Sequence, residues 1–379
     1  MKDFVKMTLA VIAGLVIVSA VSMFLCIGMI GALAVSGSSS TKLPADMVLE
    51  LNMSELMVAE QAQGTDPMMM LRGQSIETIG IWDAVQAINK AADDPAVSFI
   101  YLRTDGSMTG LANTQELRTA LSNFRQKSGK AILSYIETPT SGSYYLSTVA
   151  DKVYMTAHPG ATITFNGVGS QMFFLGDLLK KLGVNVQLIR HGKYKSAGEM
   201  YTRAESSPEN REQYQRLVDS MWEGIAGTIA EARGITVAEL DADIEGLKLC
   251  LPEDFEACRL VDGLLTKDQL EEKIAILAGK EKYKDVKFVG LKEYAEARKS
   301  VSKAKQEIAV IYAEGNIVDG SDAQDIAGDR FAKIISKVRA NENVKAVVLR
   351  VNSPGGSVLA SDKIKHEMDL LCKEKTVVA

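Results

Sequence analysis

The chain contains one pattern of strands and helices twice, and this internal repeat limits its fold more than any other feature. Aligning Val97 with Val344 also aligns Arg103 with Arg350. Further similar pairs in the same register are Ile88 and Ile335, Lys90 and Lys337, Leu102 and Leu349, and Leu117 and Ile364. Because the matches keep the order helix, strand, turn and helix, a duplication explains them most simply. The alternative is a chance likeness between apolar strands.

Apolar, strand-like runs alternate with amphipathic, helix-like segments through the first copy. The predicted strands are residues 47–51, 97–102, 131–135, 161–165 and 186–190, and the predicted helices are residues 81–92, 111–125, 172–182 and 209–232. Residues 239–277 are expected to form further helices, interrupted at Pro252 and Gly263. Near-continuous apolar strands between helices are typical of a parallel sheet with helices on its faces. The sequence therefore predicts an α/β fold of repeated β–α units.

Composition argues against several kinds of protein and site. A hydrophobic content of 46% with 24% charged residues is typical of a globular chain, and a net charge of −5 gives no reason to expect nucleic acid. The four cysteines form no C-x-x-C pair and there are three histidines, so neither a metal nor another cofactor is expected. Cys250 and Cys258 are free thiols or, in an oxidising compartment, a disulfide.

A long uncharged run lies near the N-terminus, at residues 7–35, and two lysines precede it. About 20 apolar residues span a bilayer, whereas the apolar part of a cleavable signal has about 7 to 15. We therefore predict a cytoplasmic tail at 1–6, a transmembrane anchor at 7–35 and a linker at 36–46, with the rest of the chain outside the cytoplasm. Cleavage at the Ala-Leu-Ala sequence at 32–34 is the alternative.

A glycine-rich turn in the second copy offers a candidate nucleophile. The apolar run at 347–349 predicts a buried strand, and Pro354, Gly355 and Gly356 after it predict a tight turn. A helix is expected to begin at or beside Ser357. A serine at a helix N-terminus lies near unpaired backbone N–H groups, which is the environment that an acyl-transfer oxyanion needs.

The turn alone does not assign catalysis. A strand, a turn and a serine-capped helix also punctuate ordinary βα units. Leu359 replaces the last glycine of the G-x-S-x-G elbow of α/β-hydrolases, so the turn is a different motif. In the first copy Gly110 stands opposite Ser357, so that copy cannot supply this nucleophile.

Two short motifs, one in each copy, carry a resemblance to a known family. With YKSA at 194–197 and SPGGS at 353–357, the chain closely resembles the long, duplicated form of the signal peptide peptidase SppA family. The resemblance implies a ClpP/crotonase-like fold and a serine endopeptidase that degrades cleaved signal peptides and similar apolar peptides. It makes Ser357 the nucleophile and Lys195 the general base, from different repeats.

The same resemblance implies a location and partners. Its members are anchored in the bacterial inner membrane, which agrees with the predicted single-pass anchor and places most of the chain on the periplasmic side. The duplicated form assembles into a homo-oligomer, a tetramer. Peptide substrates and the membrane are therefore the expected partners.

A lysine base makes a physical demand on its surroundings. Only the neutral amine can accept the serine proton, and desolvation favours the neutral form of a lysine. We therefore expect Lys195 to be buried against apolar groups. Lys193 is the alternative lysine, and His191 is a further candidate base. For the oxyanion we expect backbone N–H donors from the Gly356–Ser357 turn and from Gly328 and Asp329.

The repeats and their connection set the expected domains. Residues 47–278 are the first repeat, 279–305 a charged connector and 306–379 the start of the second repeat. The connector holds Ser300 and Lys303 in S-x-x-K spacing, which we attribute to coincidence in solvated sequence. The sequence stops inside a predicted strand, so an incomplete second repeat is expected, and a chain truncated there is expected to lack activity on its own.

Two other functions remain open from the sequence. A crotonase-like enzyme acting on coenzyme A thioesters would use the same fold, although an anchor and an outward location argue against a cytoplasmic substrate. A catalytically silent, membrane-anchored scaffold is the alternative without chemistry.

Overall fold

The computed structural model describes residues 42–61, 76–107, 109–299, 304–323 and 325–379, together with helical positions 14, 18, 19 and 21–23. The chain divides into two units, Met1–Leu43 and Pro44–Ala379, and the fold given below is that of the second. No helix among the described residues is both long and apolar enough to cross a membrane. Apart from those few helical positions, the predicted anchor at 7–35 lies outside the described residues.

The first repeat is built on a parallel sheet. Its strands, as far as the structure describes it, are β1 (Met47–Asn52), β2 (Leu56–Ala59), β3 (Glu77–Gly80), β4 (Val97–Arg103), β5 (Ile132–Ile136), β6 (Lys152–Thr156), β7 (Leu264–Leu265) and β8 (Phe288–Gly290). Six of them form one sheet in the order β7, β6, β5, β4, β1, β8, with every neighbouring pair parallel. The predicted α/β fold with a mostly parallel sheet is confirmed.

Helices cover both faces of this sheet. In the described part of the repeat they are α1 (Ile81–Asp93), α2 (Leu111–Ser128), α3 (Ser141–Ser147), α4 (Gly176–Lys181), α5 (Glu199–Thr202), α6 (Pro208–Arg233), α7 (Val237–Glu245), α8 (Pro252–Ala257), α9 (Lys267–Leu277) and α10 (Leu291–Ala297). The crossovers from β1 to β4 and from β4 to β5 contain α1 and α2, which pack against each other on one face. On the other face, Leu270 and Ile274 of α9 share a core with Val48 and Phe99. Strands covered on both sides explain the continuous apolar runs, such as the wholly buried β5.

The second repeat begins in the same way. Its described elements are β9 (Glu307–Glu314), β10 (Ile317–Val318), β11 (Ile326–Ala327), α11 (Gly328–Ala340), β12 (Val344–Asn352), α12 (Val358–Glu374) and β13 (Thr376–Val378). Strands β13, β12 and β9 form a parallel sheet, and β10 pairs with β11 as β2 pairs with β3. One core joins Phe331 and Ile335 of α11, Val347 of β12 and Leu371 of α12.

The element bounds of the two repeats coincide. The register that aligns Val97 with Val344 carries α1 onto α11 at both ends, and it carries the first residue of α2 onto the first residue of α12. Gly110 and Ser357 are then the N-cap residues of equivalent helices. Because chance likeness between apolar strands would not reproduce helix ends, the structure supports the duplication.

Two predicted strands are wrong. Residues 161–165 and 186–190 are irregular, and in the first of them an isolated bridge joins Thr164 to Thr140. In the second, Ile189 is 95% exposed. An apolar run becomes a strand only where a neighbouring strand pairs with its backbone groups, and these runs have no such neighbour among the described residues. The helix predicted at 172–182 is shorter, at Gly176–Lys181.

The segment expected to be a charged connector, 279–305, is largely structured. It contains a 3₁₀ turn at Tyr283–Asp285, then β8 and α10. Strand β8 pairs with β1 and completes the edge of the first sheet. Phe288 and Val289 pack against the core of the first repeat, although the high lysine content of the segment predicted a solvated connector. Ser300 and Lys303 lie outside the described residues.

Candidate active site

Two glycines shape the turn that leads to Ser357. Gly355 has a φ of +100° and Gly356 a φ of +155°. A β-carbon on Gly356 would lie 2.0 Å from the carbonyl oxygen of Ile317, so only glycine fits there. The Ile317 N–H donates to the Gly355 carbonyl oxygen at 2.9 Å, and the Ser357 N–H donates to the Ile317 carbonyl oxygen at 2.8 Å. These two hydrogen bonds hold the turn against β10 and fix the backbone position of Ser357.

Ser357 is the N-cap residue of α12, which confirms the predicted helix start. Its Oγ accepts a hydrogen bond from the Ala360 N–H at 3.2 Å. The hydroxyl in turn donates to Oδ1 of Asp319 at 2.7 Å. Because α12 is 17 residues long, its dipole stabilises negative charge that develops beside Ser357. The serine therefore has the setting of an acyl-transfer nucleophile, with its proton directed at a carboxylate.

Asp319 is a neighbour of the serine that the sequence alone does not indicate. It lies in the turn after β10 and is exposed. The Asp-Gly sequence at 319–320 is a recognisable turn signal, but a turn signal carries no information about which distant segment lies against it. The contact depends on the packing of β10 against the Ser357 turn, 38 residues further along the chain.

Lys195 lies in an exposed loop between α4 and α5. Within the described chain its side chain makes no hydrogen bond or ion pair, whereas the Lys193 ammonium lies 3.8 Å from the Glu209 carboxylate. Of the two lysines, Lys195 is therefore the one whose amine has no carboxylate partner among the described residues.

The expected burial of Lys195 is not supplied by the described residues. Lys195 lines an open groove of about 330 Å³ together with Tyr194, Tyr214 and Leu217. No hydrogen bond joins its amine to the Ser357 hydroxyl, whose partners in the described chain are Asp319 and the Ala360 N–H. The pairing of Ser357 with Lys195 thus stays a prediction, and the desolvation that it needs has to come from another source.

Another lysine lies closer to Ser357 in sequence, on the same helix. Lys363 of α12 donates to the Asp329 carboxylate at 2.6 Å. This hydrogen bond raises the pKa of Lys363 above its ordinary value. The Lys363 amine is therefore held in its protonated form and is a poor candidate for the base.

The expected oxyanion donors all lie near the serine, but two N–H groups are already used. The Asp329 N–H donates to the Gly320 carbonyl oxygen at 3.0 Å, and the Ser357 N–H donates to Ile317. Gly328 begins α11 where that helix meets α12, so closely that a β-carbon would lie 2.8 Å from the Cα of Ala360. Gly356 lies in the turn itself. Gly328 and Gly356 stay predicted donors, and Asp329 would have to release its present bond.

Exposed apolar side chains flank the serine. Val358 is 83% exposed and Leu359 is 59% exposed, both on the first turn of α12. Val351, near the end of β12, is also 59% exposed. An extended apolar peptide lying across the turn would cover these side chains, which would remove their apolar area from water.

Comparisons with known proteins point to a family of peptidases. The family model of Peptidase family S49 matches residues 124–281, a range that includes Lys195 and ends before Ser357. Protease 4 of Haemophilus influenzae is 30% identical over 353 residues, 89% of this chain and 57% of the relative. Serine protease SPPA, chloroplastic, of Arabidopsis thaliana is 31% identical over 76% of this chain and 43% of the relative. Protease 4 of Salmonella typhi is 32% identical, over 76% and 47%. The chain spans about half the length of these relatives.

Proposed function

Since this chain belongs to peptidase family S49, the family of the SppA-type proteases, we propose that it is a serine endopeptidase with Ser357 as nucleophile and Lys195 as general base. The observation that carries the proposal is Ser357 itself, fixed by a two-glycine turn at the N-terminus of a long helix. In the reaction the Ser357 Oγ attacks the scissile carbonyl carbon while the neutral Lys195 amine takes the hydroxyl proton. The resulting ammonium then gives that proton to the leaving amine, and water hydrolyses the acyl-enzyme by the same route.

We propose that the substrates are apolar peptides, among them cleaved signal peptides. The exposed side chains of Val358 and Leu359, which follow the serine directly, and of Val351 near the end of β12 support this preference. An apolar substrate also offers a source for the missing desolvation, because it would cover the open groove at Lys195 and favour the neutral amine. A neighbouring copy in a homo-oligomer, a tetramer by resemblance, would add further cover.

The remaining features of the proposal follow from the family resemblance. The fold is proposed to be ClpP/crotonase-like, consistent with repeated βα units and a parallel sheet. The uncharged run at 7–35 is proposed as a single-pass anchor in the bacterial inner membrane, with both repeats on the periplasmic side.

Three single substitutions in the natural full-length protein that carries this sequence test the proposal. The assay is hydrolysis of a fluorogenic apolar peptide in detergent. Ser357→Ala is expected to abolish activity, and Lys195→Ala to lower kcat by about 10²- to 10⁴-fold. Lys193→Ala is the matched control and is expected to keep kcat within about threefold, because its ion pair lies outside the chemistry.

Three results would contradict the assignment in different ways. Activity that survives Lys195→Ala would move the base to His191 or another group. Thioesterase activity toward an acyl-coenzyme A without peptide hydrolysis would favour the crotonase-like alternative. A wild-type protein that is folded and inactive toward both substrates would favour the scaffold.

A further inference from the structure

A buried carboxylate lies four residues after Lys195. Glu199, the first residue of α5, is 1% exposed. Its Oε1 accepts hydrogen bonds from Nη1 of Arg190 and from Oγ of Ser207, both at 2.8 Å, and its Oε2 accepts from the Ser207 N–H at 3.1 Å. Burial alone would raise the pKa of Glu199, but the bonds from Ser207 and Arg190 outweigh it and hold that pKa below its ordinary value. The carboxylate is therefore charged and fully partnered.

The same guanidinium reaches the backbone of the candidate base. Nη1 of Arg190 also donates to the Lys195 carbonyl oxygen at 3.1 Å. The Glu199 N–H donates to the Ser196 carbonyl oxygen at 2.9 Å. The Glu199 carboxylate, through its bond from Arg190, thus joins the two ends of residues 190–199, a segment that we call the lysine loop. The Lys195 backbone is tied directly to that closure.

Ser207 connects the lysine loop to the core of the first repeat. It is the N-cap residue of α6, and its Oγ accepts from the Asn210 N–H at 3.2 Å. Helix α6 is 26 residues long and buries Ile225 and Ile229 in the core. The position of the loop is therefore set by a long, well-anchored helix.

We infer that Glu199 is a positioning residue for Lys195, acting through Arg190 and the closure of the lysine loop. The Lys195 side chain has no partner of its own in the described chain, so its placement depends on its backbone. A base must lie within hydrogen-bond reach of the hydroxyl that it deprotonates, and a displacement of about 1 Å can cost about 10²-fold in rate. The inference rests on the proposed role of Lys195 as the base.

A second charge network on α6 provides a matched control. Asp262 accepts a hydrogen bond from Nη1 of Arg233, the last residue of α6, at 3.0 Å and from the Val153 N–H at 2.9 Å. It therefore combines an arginine and a backbone donor on one carboxylate, as Glu199 does. At about 1.5 Å per residue, the two ends of α6 lie roughly 39 Å apart. Asp262→Asn removes the charge from a comparable network at the far end of the same helix.

The test compares Glu199→Gln with Asp262→Asn in the natural full-length protein. Both variants are expected to lose thermal stability, because each weakens a charged network. Only Glu199→Gln is expected to lower kcat, by about 10- to 100-fold, with KM changed by less than about threefold. Only Glu199→Gln is expected to speed amide hydrogen exchange in the lysine loop, which reports loop order independently of activity.

The outcomes separate this inference from the proposed function. Equal kcat in the two variants while Lys195→Ala is impaired, or unchanged exchange in the lysine loop of Glu199→Gln, would overturn the positioning role. Faster exchange together with full activity in both Glu199→Gln and Lys195→Ala would instead reject Lys195 as the base. If Glu199→Gln does not fold, Arg190→Lys gives the same test at a partly exposed position, since it removes the shared guanidinium and keeps the charge.

Discussion

Replacing Gly356 by alanine perturbs the turn that sets the position of Ser357. The new β-carbon would lie 2.0 Å from the Ile317 carbonyl oxygen, so the two atoms have to move apart by roughly 1 Å or more. That oxygen accepts the Ser357 N–H, and losing this bond costs about 1 kcal/mol. Forcing the added methyl group into the contact costs about 1 to 3 kcal/mol more. We expect Gly356→Ala to be less stable than wild type by at least about 2 to 4 kcal/mol, and to lose activity because Ser357 shifts.

Gly355→Ala is the matched control for this prediction. Its φ of +100° is equally unsuited to alanine, but nothing lies within 4 Å of the added β-carbon. The backbone strain is therefore shared, and the difference between the two variants isolates the contact with Ile317.

Urea unfolding should be followed by far-ultraviolet circular dichroism, because both tryptophans, Trp82 and Trp222, lie in the first repeat. Equal unfolding midpoints for Gly355→Ala and Gly356→Ala, with peptidase activity retained in both, would show that the contact with Ile317 does not position Ser357.

Three further predictions concern charged groups. Arg350 lies 2.8 Å from Glu60 of the first repeat, so Arg350→Ala should leave that mostly buried carboxylate unpaired and cost about 1 to 3 kcal/mol in urea unfolding. Folding lowers the pKa of Glu199, so its carboxylate stabilises the fold at pH values above the ordinary pKa range of glutamate. This stabilisation is lost as the pH falls through the lowered pKa. The urea midpoints of wild type and Glu199→Gln should therefore converge in acid, and a constant gap would contradict this. Lys363→Met should keep kcat within about twofold, since Asp329 holds the Lys363 amine protonated. A fall in kcat of more than about 10²-fold would instead indicate that Lys363 is the base.

Features that depend on short-range signals could be predicted from the sequence. Aligned apolar strands indicated the repeat. A glycine pair followed by a capping residue indicated the helix start at Ser357. Gly356 is an example. The glycine in the sequence is enough to predict a tight turn there, although the atom that excludes a side chain, the Ile317 carbonyl oxygen, belongs to a distant strand.

Features that depend on tertiary contacts could not be predicted in the same way. The run at 186–190 has the composition of a strand, yet its neighbours are the lysine loop and solvent, so no ladder forms. In the sequence Glu199 is an ordinary helix residue, and its burial depends on the hydrogen bonds that Arg190 and Ser207 donate to its carboxylate. Likewise, Asp319 gains its contact with Ser357 only through the pairing of β10 with the glycine turn.

The claim that Ser357 is activated by Lys195 is tested most directly by the rate of covalent labelling with a fluorophosphonate probe, with the labelled residue identified by peptide mass spectrometry. We expect a label on Ser357 in the natural full-length protein, and a labelling rate that falls by about 10²-fold or more in Lys195→Ala while Lys193→Ala reacts as wild type. A label on another residue, or an unchanged rate in Lys195→Ala, would contradict it.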